Sequence, residues 1–244
     1  MCELCEKSDK CRSITRRRAV QCAFATVATL AASSSVLAAK VTGPPKPENV
    51  LSPEAALDRL MKGNARYVDG LSKRHDFKHE REVLSTGQNP FAAVLSCADS
   101  RIAPEYCFDT ARGDLFVCRI AGNFVEEDII ASLEYAVQVL STPLIMVLGH
   151  GSCGAIDATI KSIKDGSKLP GHLPALVTAL APTVNGVQGA PGDLLANAIR
   201  RNVTMNVEKL KDTAPILESL VNDKKIRVVG GLYELRTGQV ELLA

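Results

Sequence analysis

FAAVLSCADSR, residues 91–101, decides how this chain is read. Five apolar residues, Phe91 to Leu95, have the length of a buried β-strand, and they give way to Cys97, Asp99 and Arg101 at alternate positions. A strand sends every second side chain to one face, so the three would point the same way if the strand continued. The plain reading is a buried thiol beside a surface ion pair, since most isolated cysteines are inert core residues. The functional reading is a metal ligand with a charged gate next to it. The choice depends on what the rest of the chain sets beside that strand end.

Working outward, LFVCRIA (115–121), LIMVLGH (144–150) and IRVVGGLYEL (226–235) are further short apolar runs, and a turn at Thr237-Gly238 leads into a closing VELL. Between them the spacing is helical. Residues 126–140 carry Ile129, Ile130, Leu133, Ala136, Val137 and Leu140 on one side, with Asn123 and Glu126 spaced as a helix cap. Residues 153–163, 193–211 and 215–223 also read as helices, whereas 165–192, rich in Gly and Pro, reads as loose. Ser52-Pro53-Glu54 opens a first helix with an apolar stripe of Leu57, Leu60, Met61 and Val68. Near-continuous apolar strands separated by helices predict an α/β fold, a mainly parallel sheet covered on both faces. Ligands of such sheets gather beyond the carboxyl ends of the strands. Cys97 and His150 both stand at such ends.

LGHGSCGA, residues 148–155, supplies the second half of a site. His150 and Cys153 form an H-x2-C pattern among glycines that permit a tight turn, and a helix follows. Cys153 is thus placed near a helix N-terminus, where the positive dipole end favours thiolate over thiol. Two soft sulfurs and one imidazole suit zinc, and three Cys/His ligands are the number of a catalytic site; a structural site usually has four. The fourth ligand within reach is Asp99. Paired with Arg101 it leaves the metal accessible, and bound to the metal it closes the site.

Composition limits the partners. Of 244 residues 46% are hydrophobic, enough for a real core, while aromatics make up 4% and Trp is absent, which argues against nucleic-acid stacking platforms. Residues 1–39 carry six Lys/Arg against three Asp/Glu, and the remainder is nearly balanced, so the body has no polyanion-binding signature. Arg16-Arg17-Arg18 ahead of a mild Ala-rich run, with Val36-Leu37-Ala38-Ala39 behind it, reads as an export signal of twin-arginine type cleaved near position 38 or 39. The expected location is therefore the periplasm or another exported compartment, with no stable membrane anchor after cleavage. Residues 40–51 read as a Pro-rich linker and 52–244 as one domain. Cys2, Cys5, Cys11 and Cys22 lie in the segment to be removed and receive no function.

CADSR (97–101), RIAGN (119–123) and GHGSCGA (149–155) together resemble the signature blocks of the β-class carbonic anhydrases. LMKGNARYV (60–68), SLEYAV (132–137) and GGLYELRTGQVEL (230–242) fit as well, so the resemblance covers roughly residues 52–244. It implies a four-stranded parallel sheet with an added fifth strand, assembled as homodimers or dimers of dimers with the site at the dimer interface. It further implies one Zn2+ per chain on Cys97, His150 and Cys153, and an Asp99–Arg101 dyad that holds Asp99 off the metal. Gln88 would bind carbon dioxide or bicarbonate, Gly154 would line the pocket through its backbone, and Tyr135 would stand near the site. The implied reaction is reversible hydration of carbon dioxide to bicarbonate and a proton by zinc-bound hydroxide. Two alternatives share the site: hydrolysis of carbonyl sulfide or carbon disulfide, and a non-catalytic zinc-stabilised bicarbonate sensor with Asp99 on the metal. Ile120 stands where the family commonly has Asn, and Ile102 where Val is usual. Outside the signature blocks, Cys107 and Cys118 read as buried free thiols, His75 and His79 as part of a solvated charged face, and His172 as a loop residue.

Overall fold

The computed structural model describes residues 44–243. Its centre is a five-stranded sheet of β1 (Ala92–Ser96), β2 (Leu115–Arg119), β3 (Leu144–His150), β4 (Arg227–Tyr233) and β5 (Val240–Leu243), in the order β2-β1-β3-β4-β5. The first four strands are parallel and β5 joins β4 antiparallel, as the resemblance implies. Strands β1 and β3 are buried along their whole length, which is why they read as unbroken apolar runs. The chain leaves β1 for β2 on one side and returns to β3 on the other. That reversal of strand order opens a crevice at the carboxyl ends of β1 and β3, the usual ligand position in such sheets. Ser96 is in register with Leu148, so Cys97 and His150 emerge side by side into it.

Alternation along the strands sorts the core into two layers. Ala93, Leu95, Ile145, Val147 and Val228 pack against the inner faces of helices α4 (Glu127–Gln138), α7 (Leu194–Lys211) and α8 (Ile216–Asn222). Ala92, Val94, Leu144, Met146 and Leu148 pack against Ala56 and Leu60 of α1 (Pro53–Val68) and against Phe108, just beyond the short α3 (Pro104–Cys107). A third cluster joins Cys97 and Cys153 to α5 (Gly154–Asp165), α6 (Leu173–Asn185) and α7, so the candidate ligands are part of a packed wall.

Several expectations are corrected. The strand stops at Ser96, and Asp99 accepts from the backbone N–H of Arg101 at 2.9 Å, so a tight turn, not an extended face, brings the charged pair to the crevice. Helix α4 is capped at Glu126, without a side-chain cap from Asn123, which sits at φ 38°. The loose 165–192 stretch contains α6: Leu176, Leu180 and Val184 recur every four residues, Pro174 lies in the first turn where no N–H is needed, and Pro182 is absorbed inside. Val68 ends the α1 stripe exposed, while Asn64 is buried there and fastens the sheet edge, donating to Cys107 O and Gly238 O and accepting from Val240 N. In the Pro-rich segment read as a linker, Lys46 pairs with Asp114 and Asn49 is buried, so this part lies against the body. Helix α2 (Phe77–Val83) begins after His75, which faces Glu80 at 3.3 Å.

Close approach of α1 to the 107–109 turn depends on Gly63, where a Cβ would lie 1.9 Å from the Phe108 carbonyl oxygen. Gly63→Ala is expected to lower unfolding free energy by roughly 1–3 kcal/mol through overpacking, read as a lower urea midpoint. An unchanged midpoint would mean that α1 does not seat against that carbonyl.

Candidate metal centre

Cys97 leaves β1, His150 ends β3, and Cys153 caps α5, with a tight turn at Gly151-Ser152 between the last two. Ser152 takes φ 54°, and Gly151 N donates to Tyr233 O at 3.0 Å, fixing the turn to β4. Gly149 is required because a Cβ there would stand 2.5 Å from Val203 of α7. The outcome is that one ligand atom from each of Cys97, His150 and Cys153 lies within 4.8 Å of the others, and all three residues are buried. Among the described residues this is the one cluster of His, Cys, Asp and Glu close enough to hold a metal.

The donor set fits a divalent cation. His150 Nδ1 lies 2.8 Å from Gly151 O and donates to it, which leaves Nε2 as the basic nitrogen. That Nε2 is buried without a hydrogen-bond partner, a costly state for a polar atom unless something binds it. The thiols tell the same story. The Cys97 thiol is held below its ordinary range chiefly by the adjacent Cys153 side chain, against the opposing effect of burial, with His150 and the Gly122 N–H assisting. Cys153 itself is pushed up by that neighbouring sulfur and by burial. Two thiolates side by side repel each other, and a bound dication such as zinc favours ionisation of both.

Beside the sulfurs, Asp99 is turned to Arg101. Its Oδ1 accepts from Arg101 Nε at 2.9 Å and its Oδ2 from the Arg101 guanidinium at 2.7 Å, while Oδ2 lies 3.9 Å from His150 Nε2. Arg101 holds the carboxyl well below the usual carboxylate range, so Asp99 is an acceptor and not a proton donor. Arg101 also donates to Ser152 O at 3.2 Å, linking the two motif loops. Sequence reasoning missed Arg119. Its side chain donates to Cys97 O, Asp99 O and Ile102 O at 3.0, 2.8 and 2.9 Å, clamping the loop that carries Cys97 and Asp99. Its position in the RIAGN block was the available signal.

The remaining predicted residues divide. Gly154 opens α5 beside Cys153, is exposed, and a Cβ there would meet nothing within 4 Å, so it borders open space next to the ligands. Gln88 is exposed ahead of β1, at the opposite end of the sheet from Cys97. Tyr135 is 46% exposed and packs against Phe116, early in β2 and again away from the ligand end. Within one chain, neither joins the site. Cys107 and Cys118 are free and lie in opposite core layers, their thiols pushed up by burial.

An α/β sheet with three Cys/His ligands at its switch point and an ion-paired carboxylate beside them defines a zinc centre of the catalytic type. Comparison with known proteins agrees. The family described as Carbonic anhydrase matches residues 92–240. Carbonic anhydrase 2 of Mycobacterium tuberculosis is 35% identical over 192 residues, covering 78% of this chain and 93% of that protein. The β-carbonic anhydrase CcaA superposes with a TM-score of 0.61 at 26% identity, covering 77% of this chain and 95% of that one. A tetrameric β-carbonic anhydrase of Sordaria macrospora gives a TM-score of 0.63 at 22% identity, covering 78% and 96%, a likeness of fold. The chain belongs to the carbonic anhydrase family, in its β class. It is a carbonate dehydratase, a zinc enzyme that hydrates carbon dioxide, and its Cys97–His150–Cys153 group could hold the ion.

Cys153→Ser replaces a soft ligand by a poor one. Zinc per chain, measured by elemental analysis after dialysis against a chelator, is expected to fall well below that of the unaltered protein; full retention would remove Cys153 from the ligand set.

Proposed function

We propose that hydration proceeds with Asp99 held on Arg101 throughout, as the acceptor that orients the attacking oxygen. The observation that carries this reading is the pairing of both Asp99 oxygens with Arg101, with the carboxylate near the ligand group but outside it. Bound zinc supplies a Lewis acid that makes hydroxide available from water near neutral pH. Asp99, ionised beside Arg101, would accept a hydrogen bond from that nucleophile and so turn its lone pair towards the carbon of carbon dioxide. Arg101 and Arg119 keep the carboxylate and the ligand-bearing loop in place during the attack. The open space beside Gly154 admits the linear substrate, and the N-terminal end of α5 there favours the bicarbonate anion that forms. The proton passes to buffer.

Gln88 enters this scheme from a second copy of the chain. Phe91 to Cys97 spans about 20 Å of extended backbone, so Gln88 cannot reach the ligands of its own chain. The tetrameric state of the Sordaria macrospora enzymes supports self-association, with a homodimer or a dimer of dimers as the unit. The sensor alternative needs Asp99 turned away from Arg101, and the sulfur-substrate alternative has no specific observation in its favour. We propose also that residues 1–39, outside the described residues, direct the protein across the inner membrane; Arg16-Arg17-Arg18 and the Ala-rich run support this.

Asp99→Asn is expected to keep zinc and lose most hydration activity, by roughly a hundredfold or more in stopped-flow assays, as for other groups acting at the transition state. Turnover equal to the unaltered enzyme would refute the role of Asp99. For Gln88, inactive Cys97→Ser chains mixed with weakened Gln88→Ala chains under conditions that exchange subunits are expected to regain activity, because each mixed dimer contains one intact site. No gain above the sum of the parents would place Gln88 outside the partner's site.

A further inference from the structure

The metal centre is fastened from behind by a side chain that belongs to no signature block. Asn202, in the middle of α7, is 1% exposed and donates from Nδ2 to the Gly122 carbonyl at 2.8 Å. The N–H of the same Gly122 donates to Cys97 Sγ at 3.3 Å. One buried amide therefore grips one side of the residue whose other side touches a ligand sulfur. The grip is reinforced. Asn206, a turn later, accepts from Val125 N at 2.7 Å and donates to Asn202 O at 2.7 Å and to its Oδ1 at 3.1 Å. Lys209 donates to Val125 O at 2.8 Å, so the 122–125 segment is tied along α7 at three points. Gly122 has little freedom to move. It sits at φ 87°, and a Cβ there would come within 2.8 Å of Leu180.

We infer that Asn202 is a positioning residue for the zinc centre, holding Gly122 so that its N–H withdraws charge from the Cys97 sulfur. This rests on the zinc-enzyme reading above. The chemistry requires such a device. Two thiolates donate more negative charge to a cation than imidazoles do, which blunts its action as a Lewis acid. An N–H donated to a thiolate takes up part of that charge, and it does so only if the donor is fixed at hydrogen-bond distance. A role confined to folding would satisfy the same buried amides, so stability alone does not separate the two.

Asn202→Leu, close in size and without the donor, tests the inference in the full-length protein loaded with Co2+ in place of Zn2+. The sulfur-to-cobalt charge-transfer band is expected at longer wavelength, because a sulfur relieved of its hydrogen bond is a stronger electron donor. Zinc affinity in competition with a chelator should also change, falling roughly tenfold or more as for other residues behind metal ligands. A band and an affinity equal to those of the unaltered protein would overturn the inference, however far thermal stability drops. If the leucine variant does not fold, Asn206→Ala removes the support of Asn202 while sparing its contact with Gly122, and the same band shift is expected at smaller amplitude; no shift there counts against the inference. The function reading fails separately. Unaltered protein that binds the metal but does not hydrate carbon dioxide would refute the reaction, while the cobalt spectra would still decide the role of Asn202.

Discussion

The crevice between β1 and β3 forces two thiols and an imidazole together in a buried place, and the rest of the molecule is arranged around that constraint. Negative charge on one sulfur raises the cost of charge on the other, and burial adds to it, so a cation bound there stabilises both. The orphaned His150 Nε2 adds a third demand of the same sign. Parallel strands pack without room to relax, since β1 and β3 are buried throughout and α7 lies against Gly149 at a distance that admits no Cβ. Folding therefore stores a site that is preorganised for its metal.

Ligands set by backbone ends need their loops fixed, and three long-range ties do this from three sides. Arg119 reaches from β2 to three carbonyls of the 97–102 loop. Arg101 bridges that loop to Ser152 in the loop between His150 and Cys153. The Asn202–Asn206 pair holds the 122–125 segment from α7. None is a strong interaction taken alone. Together they restrain the ligand loops from several sides, which suits chemistry that depends on position to within fractions of an ångström.

Much of this was legible in the sequence because it is local or periodic. LIMVLGH gives β3 at its full length, and the spacing of C-x-D-x-R and H-x2-C picks out the Cys97–His150–Cys153 group that could hold a metal. What sequence reasoning lost was carried by contacts far apart in the chain or by signals that conflict. Helix α6 was masked because Pro and Gly outweighed a four-residue apolar repeat that shows its meaning only against α5 and α7. Asn64, Arg119 and Asn202 look like ordinary surface polar residues until tertiary packing buries or engages them, since nothing local separates a buried Asn from an exposed one. Asp99 was placed beside the sulfurs for a wrong reason. Strand periodicity put it there on paper, whereas a turn does so in the fold.

Charge explains why the gate rests where it does. With both sulfurs ionised, a divalent ion is neutralised, and any further anion draws on what positive potential is left in the crevice. Asp99 and the bicarbonate anion both have claims on it, so one must be kept away. Moving Asp99 to the metal would strand Arg101, half exposed, without its partner and would forfeit three N–H donors on one carboxylate. An exposed ion pair alone contributes only about 0–1 kcal/mol, but this one is bidentate, closed by a backbone N–H, and its guanidinium is anchored to Ser152. These added bonds tilt a balance that simple pairing would leave even, and they favour Asp99 staying on Arg101.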